Sequence, residues 1–373
     1  MNDYPRKKCL YIATFDPTVS SDGTTTRGRL FLRYIARHFD THLVHLQVRH
    51  EEGRDRTLLQ SLASILKIPY STWDYYVFSK NFFQAISQAQ LEHQCDFIFA
   101  DFEKSGLYAY LLSRKFQIPY VYNTHNVEFK RYISVARTNS LRYAFAPYMW
   151  FIERLACRNA TITIAISEKD AATFRRWVPK SRLMVLPCAF DERQITPFYD
   201  AIPHKQSIVL MVGNYSNSGN RDGAYITYRK IIPRVIEQRP DTIFRFVGSD
   251  FPDDIRHQNI QVAGFVDDLM SEYARASIVI APIEIGGGVK IKVIEALASG
   301  KFLITTEKGM EGIDSANLHN TIIARTEDFS EHIVAVLDKS PEKSDANWTF
   351  VSSHFGIDRS LKRLLLRINM LLV

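Results

Sequence analysis

Residues 277–313 read SIVIAPIEIGGGVKIKVIEALASGKFLITTEKGMEGI, and this stretch decides the fold. Ser277 to Pro282 is a short run rich in β-branched residues, as a buried parallel strand requires. Gly286, Gly287 and Gly288 follow at once. Ile291, Ile294, Glu295, Leu297 and Ala298 then fall on helical spacing, and Gly300 ends the helix. Phe302 to Thr306 reads as the next strand. A strand that feeds three glycines into a helix start leaves free N–H groups where a phosphate or diphosphate can sit. Lys290 and Lys292 add positive charge beside it, and Glu295 is placed to reach a sugar hydroxyl. The same residues also suit an ordinary strand-to-helix corner, with glycines serving only tight packing.

At 373 residues the chain is long enough for two domains, each with its own core. Its 46% hydrophobic and 23% charged content is that of a soluble globular protein. It lacks the long apolar window of a membrane-spanning helix, and MNDYPRKKCLYIATF lacks the apolar core of a signal peptide. Cys9, Cys95, Cys157 and Cys188 are far apart, so a reduced, cytoplasmic chain without disulfides or structural zinc is expected. The net charge of +7 is uneven. Residues 1–190 hold ten more basic than acidic side chains, and residues 191–373 hold three fewer. A basic first half fits a phosphate-rich or membrane-surface partner, and equally diffuse solvated charge. Nucleic acid is not expected, because no binding module accompanies the charge.

Cys9 to Phe15 reads as a strand, residues 16–29 as a loop, FLRYIARHF as a helix and Asp40 to Gln47 as a second strand. This is how a doubly wound α/β domain opens. Without GxGxxG or a closing acidic residue, NAD is not expected. His38, His42, His45 and His50 suggest a metal cluster, but His42 and His45 point to opposite faces of one strand. Ile118 to Asn123 reads as a strand that ends in Thr124-His125-Asn126-Val127-Glu128, polar residues placed where α/β sheets bind ligands. LRYAFAPYMWFIERLA (141–156) is an aromatic-rich helix suited to a core, to a groove or to a membrane surface. Ser167 with Asp170, and Asp268 ahead of LMSEYARA, read as helix caps. Residues 191–206 read as a linker, Ser207 to Val212 as a strand ending in Gly213, and the C-terminal residues as an amphipathic helix.

Several of these stretches resemble the family 4 (group 1) glycosyltransferases. GGGVKIKVIEALASGKFLITTEKGMEGI has the form of that family's donor-site signature. IPYVYNTHNVEF resembles its Pro-strand-His-Asn-x-Glu segment, and AISEKDAATFRR its Ser-Glu-x-Asp segment. LMVLPCAFD resembles its strand-Pro-Asn-Gly-x-Asp corner, with Cys188-Ala189 replacing Asn-Gly. The resemblance implies the GT-B fold: two Rossmann-like, doubly wound parallel-sheet α/β domains facing a central cleft. Residues 1–190 would form the acceptor side and 191–351 the donor-binding domain, with a helix at 352–373 packing back on the first. The implied activity is retaining transfer of a sugar from a nucleotide-sugar to a hydroxyl of a glycan or lipid-linked acceptor. The expected setting is surface polysaccharide, lipopolysaccharide or glycolipid synthesis. No metal or cofactor is expected, and peripheral contact with the inner membrane face is compatible with the basic first half.

By the same resemblance, His125 faces the donor sugar and the bond that breaks. Lys292 and the backbone of Gly286, Gly287, Gly288, Val289 and Lys290 hold the diphosphate, beside Gly213 and Asn214. Glu295 holds the ribose, and Phe265 and Val266 border the base. Gly23 approaches the sugar, while Arg27 and Glu128 lie toward the acceptor. There are two departures. Asn214 and Asn220 stand where many members carry Arg and Lys, and Gly287 stands where the first of two paired glutamates is usual. These departures leave open a nucleotide-sugar epimerase or hydrolase of the same fold, or a non-catalytic nucleotide-sugar-binding scaffold.

Overall fold

The computed structural model describes residues 6–18, 23–46, 78–102, 104–135, 140–187, 190, 207–286, 289–339 and 345–372. Gly287, Gly288, His50, Cys188 and the 191–206 linker lie outside them. The chain forms two compact units, Met1–Leu186 with Arg367–Val373, and Pro187–Leu366. The return to the first unit is therefore confined to the last turns of the helix Ile357–Leu371, and the helix Asp345–Phe355 stays with the second.

The first unit holds strands β1 (Lys8–Ala13), β2 (Asp40–His45), β3 (Phe97–Asp101), β4 (Tyr120–Asn123), β5 (Ile162–Ala165) and β6 (Leu183–Val185). They pair in parallel in the order β2-β1-β3-β4-β5-β6. The central strands are buried throughout and mostly apolar, as helices on both faces demand. The second unit holds β7 (Ile208–Val212), β8 (Ile243–Val247), β9 (Ile260–Gly264), β10 (Ile278–Ala281), β11 (Phe302–Thr305) and β12 (Thr321–Ile323). Its order is β12-β11-β10-β7-β8-β9, again all parallel. Each sheet thus reverses its strand order once, between β1 and β3 and between β7 and β10. The carboxyl ends of strands at such reversals are where doubly wound sheets open a crevice.

The first helix spans Gly23–His38, so residues 23–29 are helical, not loop as their composition suggests. Helix 218–238 contains one wide π turn at Thr227–Ile231 just before Pro233. The wider turn accommodates a ring that would clash with the preceding carbonyls and has no N–H to donate. In the first unit, the Glu153 carboxylate on helix Ser140–Asn159 accepts the N–H of Glu128 at 2.9 Å and of Phe129 at 3.4 Å. It thereby caps helix Glu128–Val135 from a neighbouring element. Helix 140–159 buries Met149, Ile152 and Ala156 and exposes Trp150 and Phe151. Among the described residues, no helix is long and apolar enough to cross a membrane.

Candidate functional site

The second unit gathers its chemistry at the β7/β10 reversal. Gly213 follows β7, and a Cβ there would come within 2.8 Å of the Asn220 amide. Helix Ser218–Ile226 lies directly on the segment after β10. A Cβ at Gly219 would meet the Ile285 carbonyl at 2.5 Å, and one at Gly223 the Pro282 carbonyl at 2.8 Å. Asn220 is thereby held over the strand end. Its amide nitrogen donates to the Asn214 carbonyl at 2.7 Å, and its amide oxygen accepts from Lys292.

Lys292 also donates to the Val212 carbonyl at 3.2 Å. Burial lowers its pKa to about 8; Lys290 adds to the effect and Glu295 opposes it. Glu295 sits one turn on, on the same face of helix Ile291–Ala298. Burial raises its pKa to about 7, against the pull of the Tyr273 hydroxyl and of Lys292. The Tyr273 hydroxyl stands 3.1 Å from Glu295 Oε2 and 3.2 Å from the Lys292 carbonyl. As a donor to Glu295 Oε2 it favours the ionised carboxylate. Tyr273 is fixed in turn through helix Leu269–Arg275, which Glu272 anchors to Arg245 of β8 by two hydrogen bonds, one of them 2.8 Å. Arg245 holds the Glu272 carboxyl below its usual range. Among the described residues no side chain caps helix 291–298, which leaves its first N–H groups to an anion. The arrangement offers a cation, open amides and a carboxyl poised near neutrality.

In the first unit, His125 follows β4 and is buried, with Nε2 2.9 Å from Asp101 Oδ1 at the end of β3. Asn123 donates to the same oxygen at 2.7 Å, and Arg27 donates to Asn123 Oδ1 at 3.2 Å. The parallel register makes Asp101 and Asn123 direct partners, so their side chains share a face. Phe15 and Phe102 stand edge-on around the imidazole. With a carboxylate on Nε2, the ring is fixed in orientation and its Nδ1 is the atom left for other work.

The other expected residues are placed as follows. Arg27 is buried, donating also to the Leu186 carbonyl at 3.0 Å and lying over the Phe31 ring. Glu128 is buried at the start of its helix, 3.3 Å from the Asn126 amide. Gly23 opens the first helix. Asn214 closes a local turn by accepting from the Ser216 N–H at 2.9 Å. Phe265 is 61% exposed after Gly264, and Val266 is half-buried. Gly286 has φ +118, and Lys290 precedes the first turn of its helix. Gly312, at φ +86, lies so close to Val289 that a Cβ would sit 2.7 Å from it. Asp268 caps its helix by accepting the Ser271 N–H at 3.1 Å, and Ser167 does the same for Asp170. Asp101, Asn123 and Tyr273 were not singled out from the sequence. The signal for Asp101 was a carboxylate closing the otherwise apolar strand FIFAD.

Comparison with known proteins agrees with this architecture. The model of glycosyl transferases group 1 matches residues 206–339, and that of glycosyltransferase family 4 matches residues 22–194. An uncharacterized 44.6 kDa protein in the cps region of Klebsiella pneumoniae is 27% identical over 152 residues. That match spans 37% of this chain and 39% of the relative's length. Sucrose-phosphate synthase from Thermosynechococcus elongatus superposes with TM-score 0.67 at 15% identity, over 98% of this chain and 99% of that one. Anabaena HepE in complex with UDP gives 0.62 at 15% identity, over 97% and 100%. WaaG, a glycosyltransferase involved in lipopolysaccharide biosynthesis, gives 0.54 at 16%, over 95% of each chain. At these identities the likeness carries the fold, a two-unit α/β structure of the GT-B class. With two family models matching successive parts of most of the sequence, the chain belongs to the family 4, group 1 glycosyltransferases.

Proposed function

We propose that this protein transfers a sugar from a nucleotide-sugar to an acceptor hydroxyl, with retention at the anomeric carbon. The observation that carries the proposal is the Asn220–Lys292 contact at the β7/β10 reversal, one helical turn from the Tyr273–Glu295 pair. In this reading the diphosphate lies against Lys292, Lys290 and the N–H groups that open helix 291–298, with no metal required. A positioned donor aimed at the departing charge contributes about 3–4 kcal/mol to such a step. Glu295, once ionised, accepts from the ribose hydroxyls, and Phe265 covers the base. His125, oriented by Asp101, meets the sugar through the hydrogen-bonding capacity of Nδ1. The acceptor is a glycan or lipid-linked sugar of a surface-polysaccharide or lipopolysaccharide pathway. The cps-region relative and the likeness to WaaG support that setting.

The test is thermal shift of the protein against a panel of nucleotides and nucleotide-sugars, followed by transfer assays with the donor found. A ligand at about 100 times its Kd adds roughly 2.7 kcal/mol, several degrees in Tm. The proposal expects one nucleotide class to shift the protein, and Lys292→Ala to abolish the shift and lower transfer at least a hundredfold. Full transfer by that variant would refute the site. Gly287, in place of the first of two paired glutamates, motivates a second reading, a nucleotide-sugar epimerase or hydrolase; isomer or free sugar formed without acceptor would favour it.

A further inference from the structure

A second charged site lies in the first unit, away from the strand ends that carry His125. Arg154 and Arg158 near the end of helix 140–159, with Arg176, Trp177, Pro179 and Arg182, line a surface pocket of about 460 Å³. Arg158 precedes β5 and Arg182 precedes β6, so the pocket sits at the amino ends of the parallel strands. His125 and Asp101 follow the carboxyl ends of β4 and β3, at the opposite edge of the same sheet. The pocket therefore has no part in holding the reacting groups.

Its charge is uncompensated. Among the described residues, none of the four guanidinium groups pairs with a carboxylate, and no acidic side chain lines the pocket. Arg175, next in sequence, is by contrast paired with Glu168. Four like charges around one pocket repel one another, and an arrangement of this kind is relieved by an anion. The rim is aromatic and apolar. Arg154 lies over the Trp150 ring at 5.2 Å, Trp150 meets Trp177 edge-on at 6.3 Å, and Phe151 is 58% exposed. Arg367 of the C-terminal helix donates to the Ser181 carbonyl beside Arg182, and Met370 one turn on is exposed.

We propose that this face is a docking site for an anionic phospholipid surface, with the four arginines taking lipid phosphates. Trp150, Phe151 and Met370 enter the interfacial layer. Guanidinium groups match phosphate geometry, exposed Trp and Phe suit the headgroup boundary, and the two together distinguish a bilayer from a dissolved anion. The site is independent of the donor-site reading, since its test needs no sugar transfer.

The experiment is vesicle co-sedimentation of the full chain with neutral phosphatidylcholine vesicles and with vesicles containing phosphatidylglycerol. Thermal shift with inorganic phosphate runs in parallel. The triple variant R158Q/R176Q/R182Q alters exposed residues only. The charge-matched control R33Q/R37Q/R114Q alters three exposed arginines elsewhere in the same unit. The proposal expects binding to anionic vesicles only, weakened on the order of tenfold or more by the pocket triple and little by the control. Equal loss in both triples, equal binding by the pocket triple and the parent, or no vesicle binding at all would overturn it. A phosphate-induced shift without vesicle binding would reassign the pocket to a dissolved anion.

Discussion

His125 Nε2 and Asp101 Oδ1 stand 2.9 Å apart, both side chains buried, at the ends of adjacent parallel strands. Three other groups converge on this pair: Asn123 and Arg27 in a chain of hydrogen bonds, and Tyr11, whose hydroxyl burial and Asp101 hold far from ionisation. A buried network of this kind fixes one ring orientation and one tautomer.

Replacing Asp101 by Asn keeps the volume and removes the charge. A hydrogen bond to a charged group contributes about 1.5–3 kcal/mol. The variant should therefore lose on the order of 10- to 100-fold in kcat/KM while nucleotide affinity, which the proposed donor site of the second unit would set, stays unchanged. Steady-state kinetics beside nucleotide titration separate the two. Equal losses in both would show a fold defect rather than a misoriented imidazole.

Glu295 and Lys292 give a pH signature. Burial holds the Glu295 carboxyl protonated up to about 7 and lets Lys292 shed its proton from about 8. Donor binding that uses a carboxylate and an ammonium should therefore peak between those values and fall on either side. Tyr273→Phe removes a hydrogen bond that lowers the Glu295 value, so it should move the acidic limb to higher pH. Glu295→Gln should abolish that limb. It should also gain in Tm relative to the parent as pH rises from 5 to 8. A folded-state value above the unfolded one means that the parent loses stability across that interval. A kcat/KM profile and Tm series on the three proteins check all of this.

At Gly213 a Cβ meets the Asn220 amide at 2.8 Å. Gly213→Ala should push Asn220 off Lys292 and weaken nucleotide binding about tenfold, with a Tm loss of only a few degrees. Asn220→Ala should reproduce the binding loss. Calorimetric titration of both variants with the nucleotide that stabilises the parent decides it; unchanged affinity in Asn220→Ala would remove that residue from the site.

Much of this was legible in the chain itself. The 277–313 stretch announces strand, glycine turn, helix and strand because β-branched runs, glycine and 3.6-residue spacing are local signals. Lys292 and Glu295, three apart, share a helix face by geometry alone. Other features depend on pairing between distant segments. The Asp101–Asn123 contact exists because β3 and β4 align in one register across 22 residues. Tyr273 was visible as part of a capped helix, but the face meeting Glu295 is set by packing and by the Arg245–Glu272 anchor. The Thr-rich start of the first helix reads as loop by propensity. Tertiary packing overrides it, where Gly28 brings the helix so close to Phe15 and Asp101 that a Cβ would sit 2.6–2.7 Å from them.

The return of residues 367–373 to the first unit has a consequence for synthesis. A domain made first on the ribosome ordinarily closes while the next is still being translated. Here the first unit also takes in residues 367–373, which are made after the whole of the second. During the whole time the second unit is emerging, the surface around Ser181 that Arg367 will cover stays open. The nascent chain therefore carries an unfinished amino-terminal half until residues 367–373 have emerged, and that is the interval in which chaperone protection matters most.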